Sequence, residues 1–309
     1  MRRIALTGIV LLLLIGRYGS LPLGEGGAAG SKDRRGAHAG YAAHFHPRRQ
    51  RGSSRSTASK LNVTVYASAR DMDVAFQAGL VDVGVYDMIR VGMSVEKGVN
   101  VKVAGLLLGE LPEDGVFAMV APPGSSGKPK TIAISKNTIV EFVSSQLIPA
   151  LGLKPGEFEL VDVPPITTRF EMVMGGKVDA AVLPDPWWRL AVLRGAKVVV
   201  DDSVLGRPVS MTVIGVKGDL ATPDLARKLR AVLNEALELY RRDPERYREI
   251  IERKIYVPEE LKGKWLPSWK GSIRDYPRDN FDFVSAWLQE KGLVSKPLNY
   301  EEIVMVLDR

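Results

Sequence analysis

The chain is 309 residues long, 45% hydrophobic and 26% charged, with no cysteine. It is globular and large enough for two ordinary domains. Disulfides, thiolate nucleophiles, Cys-bound zinc, iron–sulfur clusters and a lipid-modified N-terminal Cys are excluded. Its net charge of +7 sits at one end: residues 1–60 carry 11 Lys/Arg against 2 Asp/Glu, and the remainder 32 against 34. The folded part is therefore close to neutral, which argues against a nucleic-acid partner.

Met1-Arg2-Arg3 followed by the apolar run Ile4 to Gly16 has the charged and hydrophobic regions of a signal peptide. The run is too short to span roughly 30 Å of hydrocarbon. Residues 1–20 are read as a signal peptide or N-terminal anchor, the chain's one contact with a membrane. Residues 21–60 are basic and of low complexity. Between 21 and 59 there is no Val, Ile or Met, and the large apolar residues are Leu21, Leu23, Tyr41 and Phe45. Too little apolar area is available to offset ordering entropy, so the segment is expected to be disordered. His38, His44 and His46 all lie here, with no further ligand placed to make His44-Phe45-His46 a metal clip.

From Leu61 the pattern changes to alternating strands and helices. Strands are predicted at Leu61–Tyr66, Val81–Val85, Val99–Leu108, Val116–Ala121, Ile132–Ile134, Leu160–Val163, Val198–Val200 and Met211–Val216. Helices are predicted at Asp71–Ala78, after Ser135-Lys136-Asn137-Thr138 with Asn137 or Ser135 as cap, and at Thr167–Met174. Beyond residue 220 the chain turns helical. Thr222-Pro223 and Asp243-Pro244 each open a helix, and Asn280 to Lys291 forms a third, closed by Gly292. The sum is an α/β protein with added C-terminal helices.

Two stretches echo one another, Gly79-Leu80-Val81-Asp82-Val83-Gly84-Val85 and Gly176-Lys177-Val178-Asp179-Ala180-Ala181-Val182. Each reads as a helix stopped by Gly and followed by a buried parallel strand. The first runs into Tyr86-Asp87, the second into Pro184-Asp185-Pro186-Trp187-Trp188. Ligands of open α/β sheets collect beyond the carboxyl ends of strands, so the echo points to two similar halves with a cleft between them.

Candidate chemistry follows from those strand ends. Ser135-Lys136-Asn137-Thr138 leads into a helix N-terminus, where unpaired N–H groups, hydroxyls and a lysine suit an anion, or simply cap the helix. Trp187 and Trp188 cannot both face one way, so at most one meets a flat ligand while the other packs. Gly124-Ser125-Ser126-Gly127-Lys128 lacks the spacing of a phosphate loop, and no dinucleotide fingerprint follows a strand. After His46 there is neither His nor Cys, which removes Ser–His and Cys–His nucleophiles from the folded body.

The segment Thr131–Thr138, then Leu151-Gly152-Leu153, then Arg169 through Trp187 and Gly195-Ala196-Lys197 resembles extracytoplasmic solute-binding proteins of ABC importers. Specifically it is similar to the nitrate/sulfonate/taurine and thiamine-pyrimidine-precursor type, as is the tail Phe281 to Ile303. The resemblance covers roughly Leu61 to Ile303. It implies a two-lobed periplasmic-binding-protein fold of type 2, with lobe 1 at 61–118 plus 210–309 and lobe 2 at 119–209. The two crossings would fall near Phe117–Ala121 and Ser210–Val213, and the lobes would close on ligand like a hinged clamp.

The residues it carries over as ligand-binding are Tyr86, Asp87, Ser135, Asn137, Thr138, Asp185, Trp187 and Ser210. It further implies a monomer outside the cytoplasm with a small-molecule ligand, an ABC permease as partner, and no cofactor, metal or catalysis. The alternative it leaves is an enzyme on the same fold making thiamine pyrimidine or menaquinone precursors, against which the missing histidine speaks. One departure matters: residues 21–59 stand where a first core strand and helix are implied. A shifted reading frame across this stretch is the hypothesis attached to it. Translating the two other frames of the corresponding DNA tests it, and finding an apolar strand–helix pattern in neither refutes it. If the stretch is authentic, a non-binding relative becomes a third reading.

Overall fold

The computed structural model describes residues 41–46, 60–66, 69–114, 117–254 and 257–307. The signal-peptide or anchor reading of residues 1–20 lies outside them, as does the segment 21–59 except for residues 41–46. Ten strands form two five-stranded sheets among these residues. The first has the order β2-β1-β3-β10-β4, from β1 (Tyr41–His46), β2 (Lys60–Val65), β3 (Val83–Asp87), β4 (Val101–Leu108) and β10 (Thr212–Lys217). The second has the order β7-β6-β8-β5-β9, from β5 (Phe117–Ala121), β6 (Thr131–Ile134), β7 (Glu159–Asp162), β8 (Ala180–Pro184) and β9 (Lys197–Asp201). The fold is the mixed α/β arrangement expected.

The helices are α1 (Ala69–Gln77), α2 (Met88–Glu96), α3 (Ile139–Ala150), α4 (Ile166–Met174), α5 (Trp187–Leu193), α6 (Pro223–Arg242), α7 (Arg248–Lys254), α8 (Arg278–Glu290) and α9 (Tyr300–Ile303). The central strands β3 and β8 are buried on both faces, which explains their unbroken apolar runs. In β3, Val83 and Val85 share a cluster with Leu225, Leu229 and Leu233 of α6. Tyr86, one residue on, joins Met72, Phe76 and Phe281 on the other face. In the second sheet Ile132 and Ile134 meet Val143 and Leu147 of α3, while Ala133 and Ala181 meet Phe170 and Leu190.

The echoed segments occupy the same place, third in each sheet, but only β8 has the parallel neighbour expected of both; β3 is antiparallel to β1 and to β10. Gly79 and Gly176 both take the left-handed backbone, at φ 74° and 63°, that ends a helix at glycine. Three further expectations change. Residues 41–46, expected to be disordered, form β1 through main-chain pairing with β2 and β3, an energy that a count of apolar area does not include. Of the two expected crossings, Phe117–Ala121 is itself strand β5 of the second sheet, with Phe117 paired to Pro184, so the first passage precedes it, while the second, at 202–211, takes in Ser210. The cap of α3 is Thr138 rather than Asn137 or Ser135: its hydroxyl accepts from the Val140 N–H at 3.1 Å, whereas Asn137 is turned to φ 57°.

Candidate functional site

Strands β6, β7 and β8 are parallel, so their carboxyl ends lie along one edge. In the first sheet Asp87 and Leu108 both pair with Thr212, which sets the ends of β3 and β4 along one edge too. The chain leaves the first sheet at Leu108 and enters the second at Phe117, beside Pro184, and residues 202–211 return from β9 to Thr212. Two short passages thus join the sheets beside these strand ends.

The second edge carries Ser135, Thr138, Asp185 and Trp187. Ser135 is buried, and its carbonyl accepts the Thr138 hydroxyl at 2.7 Å. The α3 N-terminus is already supplied with acceptors from the chain itself. Asn137 N–H donates to the Glu141 carboxylate at 2.6 Å, Lys136 N–H to Asp162 at 2.9 Å, and Val140 N–H to Thr138. Three donors expected to face an anion are therefore engaged, two of them with carboxylates. The Asn137 side chain stands exposed.

Asp185, buried at the end of β8, holds the Arg189 guanidinium side-on, with Nε at 2.8 and 3.0 Å from its two oxygens. The Asp185–Pro186 peptide is cis. Trp187 packs edge-on against Phe170 with ring centroids 5.5 Å apart and belongs to the core. Its neighbour Trp188 is only partly buried, lies under the Arg189 guanidinium at 4.3 Å, and has an indole N–H with no partner among the described residues. Both indoles pack against the same core cluster, Trp187 fully buried and Trp188 in part.

On the first edge, Tyr86 points into the core. Its ring crosses Gly84 and Gly215, where an added Cβ would come within 2.7 and 2.5 Å of it, and meets Phe76 edge-on. Its hydroxyl bonds Asp73, and burial raises its pKa. Asp87 stays at the edge but caps α2, its carboxylate accepting from Arg90 N–H at 2.9 Å. Burial raises its pKa too, with the nearby Arg90 guanidinium opposing. Thr212, paired with Asp87 and not anticipated from sequence, has a buried hydroxyl with no partner among the described residues.

Ser210, two residues before Thr212, lines a pocket of ≈ 280 Å³ with Gly109, Glu110, Asp202, Ser203 and Arg207. Arg207 stacks on Phe283 at 4.1 Å, and its Nε is buried without a partner. A further group missed from sequence is Arg169 of α4, 1% exposed beneath the loop that follows β7. No cluster of three or more His, Cys, Asp or Glu suited to a metal occurs among the described residues.

No protein-family model matches the chain, and no curated protein matches it in sequence. Solved structures do. The periplasmic aliphatic sulphonate binding protein SsuA of Escherichia coli matches with a TM-score of 0.66 at 17% identity, over 77% of this chain and 81% of that one. The alkanesulfonate-binding protein SsuA of Xanthomonas axonopodis pv. citri, bound to MOPS, matches with a TM-score of 0.62 at 18% identity, over 76% and 84%. The desulfurization enzyme DSZB matches with a TM-score of 0.52 at 13% identity, over 72% and 82%. The chain therefore has the fold of the two-lobed periplasmic binding proteins. Within that fold its structural neighbours include sulfonate-binding proteins, other import-system components and an enzyme.

Proposed function

We propose that this chain is the solute-binding component of an ABC importer, exported from the cytoplasm and delivering a small solute held between its sheets to a permease. The observation that carries the reading is the match over most of both chains to ligand-capturing proteins, combined with two sheets joined by short passages beside their strand ends. Asp87, Ser135, Thr138, Asp185, Trp188 and Thr212 line those ends; Tyr86 and Trp187 support them from the core. Sulfonates, nitrate, taurine and thiamine-pyrimidine precursors are the solutes to try. An enzyme on this fold is the competing reading, favoured by the DSZB likeness and opposed by the absence of His and Cys after His46.

Thermal-shift and tryptophan-fluorescence titration of the full chain against nitrate, bicarbonate, taurine, alkanesulfonates and pyrimidine precursors tests the proposal. A ligand at a hundred times its Kd adds about 2.7 kcal/mol of stability. Saturable binding with the ligand recovered unchanged is the expected result. Turnover of a bound compound, or a folded chain that binds none of them, overturns it.

A further inference from the structure

The C-terminal helices cover the first sheet, yet they also reach the second, and they do so on both of its faces. One core cluster holds Leu225, Leu229 and Leu233 of α6 together with Phe170 of α4 and Leu190 of α5. The other holds Phe281 and Leu288 of α8 together with Val143 and Leu147 of α3. Each cluster therefore runs on from one sheet's helices to the other's, instead of one cluster belonging to each sheet.

Each face also carries an ion pair across the join. On the α6 face, Arg194 just past α5 pairs with Glu260 in the turn Glu259–Leu261. Arg194 is steadied over the Phe170 ring at 5.3 Å. The turn belongs to the first sheet's side: Gly263 N–H donates to Glu252 of α7 at 2.7 Å, and the Tyr240 hydroxyl of α6 donates to the Pro267 carbonyl. On the α8 face, Lys291 pairs with Glu141 of α3 at 2.6 Å. Helix α8 lies so close on α2 that a Cβ at Gly92 would come within 2.5 Å of Leu288. The first sheet's side thus offers an acid on one face and a base on the other, and the second sheet offers the converse.

We propose that residues 259–291 form a brace that sets the angle between the two sheets from both faces. The second sheet is held between the two pairs, and a tilt toward either face must lengthen one of them. Movement at the join then begins with the release of a pair. Arg194–Glu260, with side chains 47% and 43% exposed, is the easier to release; Lys291–Glu141, at 39% and 7%, is the firmer. The brace is a property of the join and is the same for a binder or an enzyme.

The chain has no cysteine, so Glu171→Cys and Glu235→Cys, at exposed positions on α4 and α6, place two spin labels on one face. Electron–electron distance measurement on the full labelled chain reads the tilt. Glu260→Gln removes the pair on the labelled face and should lengthen the mean label distance. Lys291→Met removes the pair on the opposite face and should shorten it. Both together should give a broader distribution than either alone. Shifts of the same sign, or an unchanged mean and width in all three variants, overturn the proposal. Should Lys291→Met not fold, the labelled chain in 1 M salt decides. There the Debye length is about 3 Å, and the exposed pair is screened more than the one that holds the buried Glu141. The distance should then lengthen as in Glu260→Gln, and no lengthening overturns the brace.

Discussion

The two sheets share a strand order but differ at the second position. In the second sheet, β6 runs parallel to both neighbours and is followed by α3, whose N-terminus comes up at the cleft edge. In the first, β1 runs antiparallel to both β2 and β3, and no helix is described between β1 and β2. An antiparallel pair can be joined without a crossover helix, whereas a parallel pair needs one. Among the described residues, the first sheet fills its second position with an antiparallel strand where the second sheet has a parallel one followed by a helix. The residues proposed to line the site divide unevenly: Ser135, Thr138, Asp185 and Trp188 on the second sheet's side, Asp87 and Thr212 on the first. The asymmetry fits the frame-shift hypothesis for residues 21–59, since a segment of foreign composition occupies the position where a parallel strand and helix would restore the match.

Helix α3 also anchors the C-terminal helix α8, so the contact between them is where the comparison can be broken hardest. Phe142 of α3 is fully buried and meets the rings of Phe283 and Trp287 of α8 at 5.4 and 5.3 Å. Phe142→Ala should cost about 3–5 kcal/mol in urea denaturation. A loss below about 1 kcal/mol would mean that the second sheet's helix does not secure the C-terminal helix. A smaller effect is expected at the ion pair beside it. Glu141 accepts Lys291 Nζ at 2.6 Å with one oxygen and Asn137 N–H with the other, joining α8 to the turn after β6. Lys291 is 39% exposed and the Glu141 side chain 7%, so Lys291→Met should cost about 1–2 kcal/mol, less than a fully buried pair. Adding Glu141→Gln should recover part of that loss, because the stranded charge is then gone. If the double variant is no more stable than Lys291→Met, Glu141 is not held by its lysine.

Much of this was legible in the sequence, and the exceptions share a cause. The left-handed glycines at 79 and 176 and the Thr222 cap were readable because each depends on a few adjacent residues. Helix α2 was not, since Met88, Ile89 and Val91 are all buried and leave no clean polar face, and its cap Asp87 looked like a ligand contact. Trp187 and Trp188 were readable as an aromatic pair, but only the packing of Phe170 shows which of them is fully buried. The burial of Arg169 is not visible in sequence, because it is set by the packing around its helix. The strand β1 draws on main-chain pairing that side-chain composition does not report.

Asp87 and Asp185 sharpen the comparison at its finest scale, since each is an acid where an echoed strand gives way to a helix. Asp185 is matched by a guanidinium, whereas Asp87 is spent on a main-chain N–H and is raised in pKa by burial. A folded pKa above the unfolded one means that folding favours the protonated form. The stabilisation is full below the ordinary carboxylate pKa and disappears as pH rises through the raised value. At neutral pH the charged Asp87 is therefore a small burden on the first sheet's edge. Asn is an equally good cap without the charge. Asp87→Asn should melt at or slightly above wild type at pH 7, and the difference should shrink or reverse toward pH 3. A marked loss at pH 7 would instead show that the carboxylate is needed at this edge, and that its helix N-terminus contributes more than burial removes.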